Sequence, residues 1–251
     1  MRPARLALLA GLLGAATIAP ALAQEQALPH PRWSFAGIFG TYDRAAAQRG
    51  LQVYQEVCAN CHSLNLAYYR DLAGIGLSAD QIKAIAAAVT VPTIGDDGQP
   101  AERPAEPQDH FRKPFPNEKA ARAAMNGALP PDLSDIVKAR EGGADYVYAI
   151  PTGYADPPAG MTMGDGMNYN TYFPGHQIAM PQPLHDGQVT YADGTKASIE
   201  QETHDVVTFL AYVANPEMEQ RHRIGVKIVL FFLLLTGLTY AMKRKLWADV
   251  H

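Results

Sequence analysis

Cysteine is scarce in this sequence of 251 residues, which has two, Cys58 and Cys61. Two cysteines exclude a disulfide-built scaffold and leave no four-cysteine zinc site. Charge is sparse too, at 18% Asp, Glu, Lys and Arg with a formal net of -4. Without a basic excess there is no nucleic-acid-binding surface. Long apolar runs occur only at the two ends, which excludes a polytopic membrane protein. The sequence also lacks an internal repeat, a glycine-rich nucleotide loop and a convincing Ser-His-Asp constellation, so it offers no support for solenoids, nucleotide chemistry or triad hydrolysis.

The two apolar ends read differently. Arg2 and Arg5 precede an uncharged apolar stretch, Leu6 to Ile18, and Ala21-Leu22-Ala23 supplies a small-x-small cleavage site. Residues 1–23 are therefore expected to be a cleaved export signal, with Gln24 the first mature residue. Near the other end, Ile224 to Met242 is almost uninterrupted apolar sequence, about 28 Å long as a helix and enough to cross a hydrocarbon core. Lys227 lies one turn inside and can snorkel to the interface. Lys243, Arg244, Lys245 and Trp247 suit the positive inner face of a bacterial membrane. Arg221 and Arg223 flank the other side, so the orientation comes from the export signal. The expected layout is an exported domain at 24–223, a single-pass anchor at 224–242 in the inner-membrane lipid bilayer and a cytoplasmic tail at 243–251, with the domain in the periplasm.

Between Gln24 and Arg223 there are 15 Lys and Arg against 24 Asp and Glu, a net of -9. Composition alone favours ordinary solubility as the reason. The functional reading is a surface that steers a basic partner by long-range attraction.

Both cysteines fall in Cys58-Ala59-Asn60-Cys61-His62. A single Cys-x-x-Cys followed at once by His is the attachment signature of haem c: the two thiols form thioethers with the vinyl groups, and the adjacent imidazole becomes an axial iron ligand. The runner-up, a thioredoxin-like redox pair, needs a strand before the motif, whereas the residues before Cys58 read as helix. Asp43 is the expected N-cap, and Ala47, Leu51, Tyr54, Cys58 and Cys61 recur on one helical face that would point at the porphyrin.

Further helices are expected after Ser78 (a capping box with Gln81), after Asn117 (ending at Asn126-Gly127) and after Ser198, the last ending at Asn215-Pro216. Long loops rich in Pro and Gly run from Val91 to Pro107 and from Pro151 to Pro183, and a hairpin is expected around Asp186-Gly187 and Asp193-Gly194. Loops of this length in a compact domain usually bind something. For the sixth iron position, Met180 lies in a strap bracketed by Pro181 and Pro183 and carries a soft thioether. Met161, Met163 and Met167 lie in a Gly-rich stretch, and Met125 lies on a short helix. His176 is the main rival, and an open site, as in a peroxidase or ligand sensor, is the third alternative.

These residues resemble the cytochrome c1 family, the haem c subunits of quinol–cytochrome c oxidoreductase (the bc1 complex), in its alphaproteobacterial form. The resemblance runs from about Trp33 to Trp247. It is carried by Gly50-Leu51-Gln52-Val53-Tyr54 before the haem motif, Tyr69-Arg70, the run Pro116 to Ser134, Thr152-Gly153-Tyr154, Tyr172-Phe173-Pro174-Gly175, Ile178-Ala179-Met180-Pro181 and Tyr240 to Arg244. It implies an all-α, cytochrome c-like haem domain with loop insertions and a small β-hairpin, plus one C-terminal transmembrane helix. It also implies one covalent haem c with thioethers at Cys58 and Cys61, His62 and Met180 as iron ligands, and Arg122 paired with a haem propionate instead of being a solvated helix-face charge.

The implied function is electron transfer from the Rieske iron–sulfur protein to a soluble cytochrome c or c2, beside cytochrome b, with no substrate chemistry in the isolated chain. Such acceptors are commonly basic, which turns the acidic balance into expected steering. At Ala155 the sequence departs from members that carry a disulfide cysteine there, so the stiffness of the Met180 strap is assigned to its prolines. A free-standing, membrane-tethered shuttle remains the alternative function.

Overall fold

The computed structural model describes residues 26–249, so the expected export signal lies outside it. The helices are α1 (Arg44–Glu56), α2 (Ala79–Ala87), α3 (Glu118–Ala124), α4 (Gly143–Thr152), α5 (Ile199–Ala214) and α6 (Met218–Leu246). Single 3-10 segments occur at Cys58–Asn60, Tyr69–Ile75 and Pro174–His176. Two antiparallel hairpins complete the described residues: β1 (Thr90–Ile94) with β2 (Pro100–Pro104), and β3 (Asn168–Tyr169) with β4 (Gln177–Ile178). The chain is thus mostly helical.

The organising contact is α1 against α5. Gly50 lets the two backbones meet: a Cβ there would lie 2.0 Å from the Asp205 carbonyl oxygen and 2.9 Å from Phe209 Cβ. Beside it, Arg49 grips the fully buried Asp205 with two bonds (Nε to Oδ2 2.8 Å, Nη2 to Oδ1 3.0 Å) and reaches Asp193 with a third at 2.9 Å. A buried carboxylate is tolerable only when paired and hydrogen-bonded in this way, and Gln201 completes its shell at 3.0 Å. Tyr54, Tyr69, Phe111 and Phe209 fill the layer under α1, with Tyr69 stacked on Phe111 at 4.5 Å. Residues 69–75 close in below α5, where a Cβ on Gly74 would strike the Tyr212 hydroxyl and that hydroxyl donates to the Asp71 carbonyl.

The caps form as expected. Asp43 accepts from the Ala46 amide, Asn117 from Ala120 and Ser198 from Gln201, while Ser78 and Gln81 make a reciprocal capping box. Four expectations need correction. First, α1 stops at Glu56, so Cys58 opens the 3-10 turn beyond it and Cys61 caps that turn, and α1 packs on α5. Second, the Val91 to Pro107 loop contains the β1–β2 hairpin; its prolines argue against a strand, but in a two-stranded ribbon both strands are edges and tolerate them. Third, residues 186–194 form two tight turns, at Gly187 and Gly194, and the ladders fall elsewhere among the described residues. Fourth, the loop expected from Pro151 begins inside α4, a helix that the sequence does not announce, as it does not announce the 69–75 segment. α4 opens on Gly142-Gly143, is rich in Tyr, Val and Ile and carries Pro151, all of which mask a helix.

α6 leaves the domain as a single 29-residue helix, about 43 Å long, and among the described residues it is the one helix long and apolar enough to cross a membrane. It is tied to the domain at its first turn. Glu219 accepts from the Tyr42 amide at 2.8 Å and pairs with Arg44 at 2.7 and 2.8 Å, which holds its carboxyl below the usual carboxylate range.

Two tests follow from this packing. Gly50→Ala would gain about 1 kcal/mol of helix propensity at an exposed site; here the clash with α5 is expected to reverse the sign and cost about 1–3 kcal/mol or more in urea unfolding, and a stabilised variant would contradict the contact. Because the Glu219 carboxyl is shifted down, the Arg44 link is fully present above its ordinary titration range and is lost as pH falls through the folded value. Thermal unfolding should therefore show Glu219→Gln destabilised by on the order of 1 kcal/mol near neutral pH, with the gap closing in acid. A gap that does not change with pH would contradict the link.

Candidate haem site

The α1 C-terminus hands the chain to the cysteine motif through a tight turn. The Cys58 carbonyl accepts from both the Cys61 amide (3.1 Å) and the His62 amide (2.8 Å), and Asn60 Nδ2 caps the carbonyls of Glu56 and Val57 at 3.2 Å each. Cys58 and Cys61 are half-buried and not bonded to each other. Burial pushes the Cys58 thiol up to about 12, opposite to the depressed value a thioredoxin-type nucleophile needs. Among the described residues no three His, Cys, Asp or Glu side chains gather to hold a metal ion.

The imidazole of His62 is held from behind. Its Nδ1 lies 2.8 Å from the Pro131 carbonyl oxygen. A carbonyl only accepts, so Nδ1 carries the proton and Nε2 keeps its lone pair. Desolvation lowers the His62 pKa, against the opposing pull of the Pro131 bond, and keeps the ring in this neutral form. Pro131 is itself fixed by its neighbour. Asp132 accepts from the Ser63 hydroxyl (2.7 Å), the Asn65 amide (2.8 Å) and the Ser134 amide (2.9 Å). The Leu133 amide donates to Ser63 O at 2.9 Å, and Tyr54 donates to His62 O at 3.1 Å. Burial works against ionising Asp132, yet this set of donors holds its carboxyl below the ordinary range.

Met180 is half-buried, and hydrogen bonds tie down the backbone of its strap, whose stiffness the sequence alone assigns to prolines. Its carbonyl accepts from the Tyr154 hydroxyl at 2.8 Å and from Asn168 Nδ2 at 3.3 Å. Behind it, the fully buried Asn170 donates to Ile150 O at 2.8 Å and accepts from the amides of Tyr172 and Phe173 at 3.1 Å each, pinning the loop to α4. His176, the rival ligand, has a left-handed backbone (φ 59°), stacks on Tyr169 at 5.7 Å and places Nδ1 3.3 Å from Asn170 O. Met161, Met163 and Met167 lie half-exposed outside regular structure, and Met125 is the C-cap of α3. Arg122 is exposed in the last turn of α3 and spends one donor on Gly127 O at 3.1 Å, which leaves guanidinium N–H groups for an anionic partner.

The donor set fits a c-type haem: two unpaired thiols three residues apart, a neutral imidazole presenting Nε2, and a thioether on an anchored strap. Pro131, Asp132, Tyr154, Asn168 and Asn170 are the supporting residues that sequence reasoning did not single out. Pro131 and Asp132 lie inside the Pro116 to Ser134 run and Tyr154 inside the Thr152-Gly153-Tyr154 stretch, so the resemblance was the available signal.

Comparison with known proteins bears on the family. The model of the Cytochrome C1 family matches residues 33–250. A protein of Solanum tuberosum named cytochrome c1-2, heme protein, mitochondrial, is 49% identical over 239 residues, covering 94% of this chain and 92% of that protein. Cytochrome c1 of Rhodospirillum rubrum is 43% identical over 235 residues, covering 87% of this chain and 86% of that protein. A Bradyrhizobium diazoefficiens protein named cytochrome b/c1 is 47% identical over 246 residues, covering 89% of this chain but 36% of that longer protein. By a family match spanning most of its length and by relatives covered nearly end to end, this chain belongs to the cytochrome c1 family.

Proposed function

We propose that the chain is the electron-transfer haem subunit of a quinol–cytochrome c oxidoreductase, taking one electron from a Rieske iron–sulfur protein and delivering it to a soluble cytochrome c or c2. The observation that carries this reading is the His62 imidazole, locked by the Pro131 carbonyl into the tautomer that leaves Nε2 as a ligand, beside two unpaired cysteines. Haem c, when bound, supplies a one-electron iron couple. Cys58 and Cys61 would hold it by thioethers, His62 and Met180 would ligate the iron, and Arg122 would neutralise a propionate.

The protein's own work is positioning. The bond to Pro131 O fixes the ring plane of His62 and its basicity, as a partner behind a ligating histidine does in metal sites generally. Tyr154 and Asn168 hold the Met180 backbone so that the strap need not be reordered when the iron changes charge. The longer relative named cytochrome b/c1 supports a working partnership with a cytochrome b. We read 224–242 as the membrane-spanning part of α6, with 24–223 in the periplasm after cleavage of residues 1–23, and 243–251 in the cytoplasm. Lys243, Arg244 and Lys245 in its last turn also suit the helix dipole. The net of -9 across 24–223 raises the encounter rate with a basic acceptor.

Met180→Leu is expected to abolish the near-infrared band of methionine-ligated ferric haem and to lower the potential; survival of both would refute the ligand assignment. Tyr154→Phe removes one neutral hydrogen bond, about 0.5–1.5 kcal/mol, and should weaken that band without removing haem. An unchanged band would show that the prolines suffice. Raising ionic strength from about 0.01 M to 1 M shortens the screening length from about 30 to 3 Å and should slow reduction of a basic cytochrome c. A salt-independent rate would contradict the steering.

A further inference from the structure

Just ahead of α1, residues 34–41 form a clasped loop with an apolar tip. The Thr41 amide donates to Ser34 O at 3.0 Å, the Asp43 amide to Ser34 Oγ at 3.0 Å and the Gly40 amide to Gly37 O at 3.2 Å. Gly37 has φ +77°, and a Cβ on Gly40 would collide with Phe35 O at 2.2 Å, so both glycines are needed to close the loop. At its tip, Ile38 and Phe39 are 72% and 79% exposed. A closed loop that holds two adjacent large apolar side chains out of the domain is built to bury them in something else.

What covers them follows from where the loop is tied. Tyr42, three residues after Phe39, donates its hydroxyl to Ala211 O (3.1 Å) and Asn215 O (3.0 Å), at the junction of α5 and α6. Its amide and Arg44 both bind Glu219 in the first turn of α6. Three residues of chain reach about 10 Å at most, and the five residues from Glu219 to Ile224 rise about 7.5 Å along the helix. These two reaches, together about 18 Å and joined through the Glu219 side chain, bound how far the tip lies from the point where the spanning segment begins. Arg221 and Arg223 are exposed at the same level and would face lipid headgroups.

We propose that the Ile38–Phe39 tip inserts into the outer interface of the bilayer, a second and shallow membrane contact beside α6 that fixes the tilt of the haem domain over the membrane. This rests on reading α6 as a membrane anchor. A lone helix leaves a domain free to swivel about its entry point; a rigid apolar loop with an adjacent basic collar, dipping into the headgroup and upper acyl region, removes that freedom. Trp33, Phe35 and Tyr42, packed in series at 5.4 and 5.6 Å, give the loop a stiff base.

The test uses the haem-loaded chain in its purified membrane complex, reconstituted in nanodiscs of phosphatidylcholine and phosphatidylglycerol. Single substitutions Ile38→Cys, Phe39→Cys and Val229→Cys are labelled with an environment-sensitive fluorophore, with the unsubstituted complex as background and the haem spectrum as the check on folding. The proposal predicts blue-shifted emission at 38 and 39, quenched by lipid carrying a nitroxide near the headgroup and not by aqueous iodide. Quenching by iodide alone would show the tip in water, and protection from both quenchers would show it covered by a neighbouring protein; either result overturns the proposal. Val229, in the spanning segment, should respond to a nitroxide deep in the acyl chain. If it does so while 38 and 39 do not respond to lipid, the tip proposal alone fails; if it does not, the anchor reading fails and the tip proposal with it.

Discussion

The close approach of α1 and α5 at Gly50 is the constraint on which the rest of the structure depends. A glycine where two helix backbones touch brings Arg49 against Asp205, and that buried ion pair sets the register of the two helices. Each helix then leads to one of the two functional ends. α1 runs straight into the cysteine motif, and α5 runs through Asn215-Pro216 into α6. One contact therefore fixes how the candidate haem site is set relative to the candidate membrane anchor.

At the site itself, both candidate iron ligands are controlled through backbone carbonyls. For His62 it is the carbonyl of Pro131, which consumes the one ring proton and leaves Nε2 as a donor of electrons. For Met180 it is the residue's own carbonyl, which anchors the strap to Tyr154 and Asn168. In each case a second layer fixes the first: Asp132 organises the turn that carries Pro131, and Asn170 pins the loop that carries Met180. Ordering of this kind lowers the reorganisation that accompanies a change of charge at the site.

Local signals made the helix starts and the chemistry legible in the sequence. Asp43, Ser78, Asn117 and Ser198 all cap as their side chains suggest, because capping is decided within three residues. Cys58, Cys61 and His62 were readable for the same reason. Pairings between distant residues stayed hidden: the oxygen that fixes His62 is a main-chain atom 69 residues away, and no side-chain identity announces it. α4 escaped because its Gly, Pro and β-branched residues argue against a helix that tertiary packing on α5 enforces, and the β1–β2 hairpin escaped because its prolines mimic a loop. The stripe on α1 is buried, and Gly50 and Tyr54 of that helix meet α5; periodicity tells which face is covered and not everything that covers it.

The proposed role requires that electrons from quinol reach a haem held at Cys58, Cys61 and His62. The most direct measurement is to solubilise membranes in mild detergent, purify the complex through this chain and record haem c reduction on adding quinol. The expected result is that cytochrome b and a Rieske protein copurify, that quinol reduces the haem, and that removing the Rieske protein stops the reduction. A chain that purifies alone, with a haem that a chemical reductant reduces and quinol does not, would contradict it.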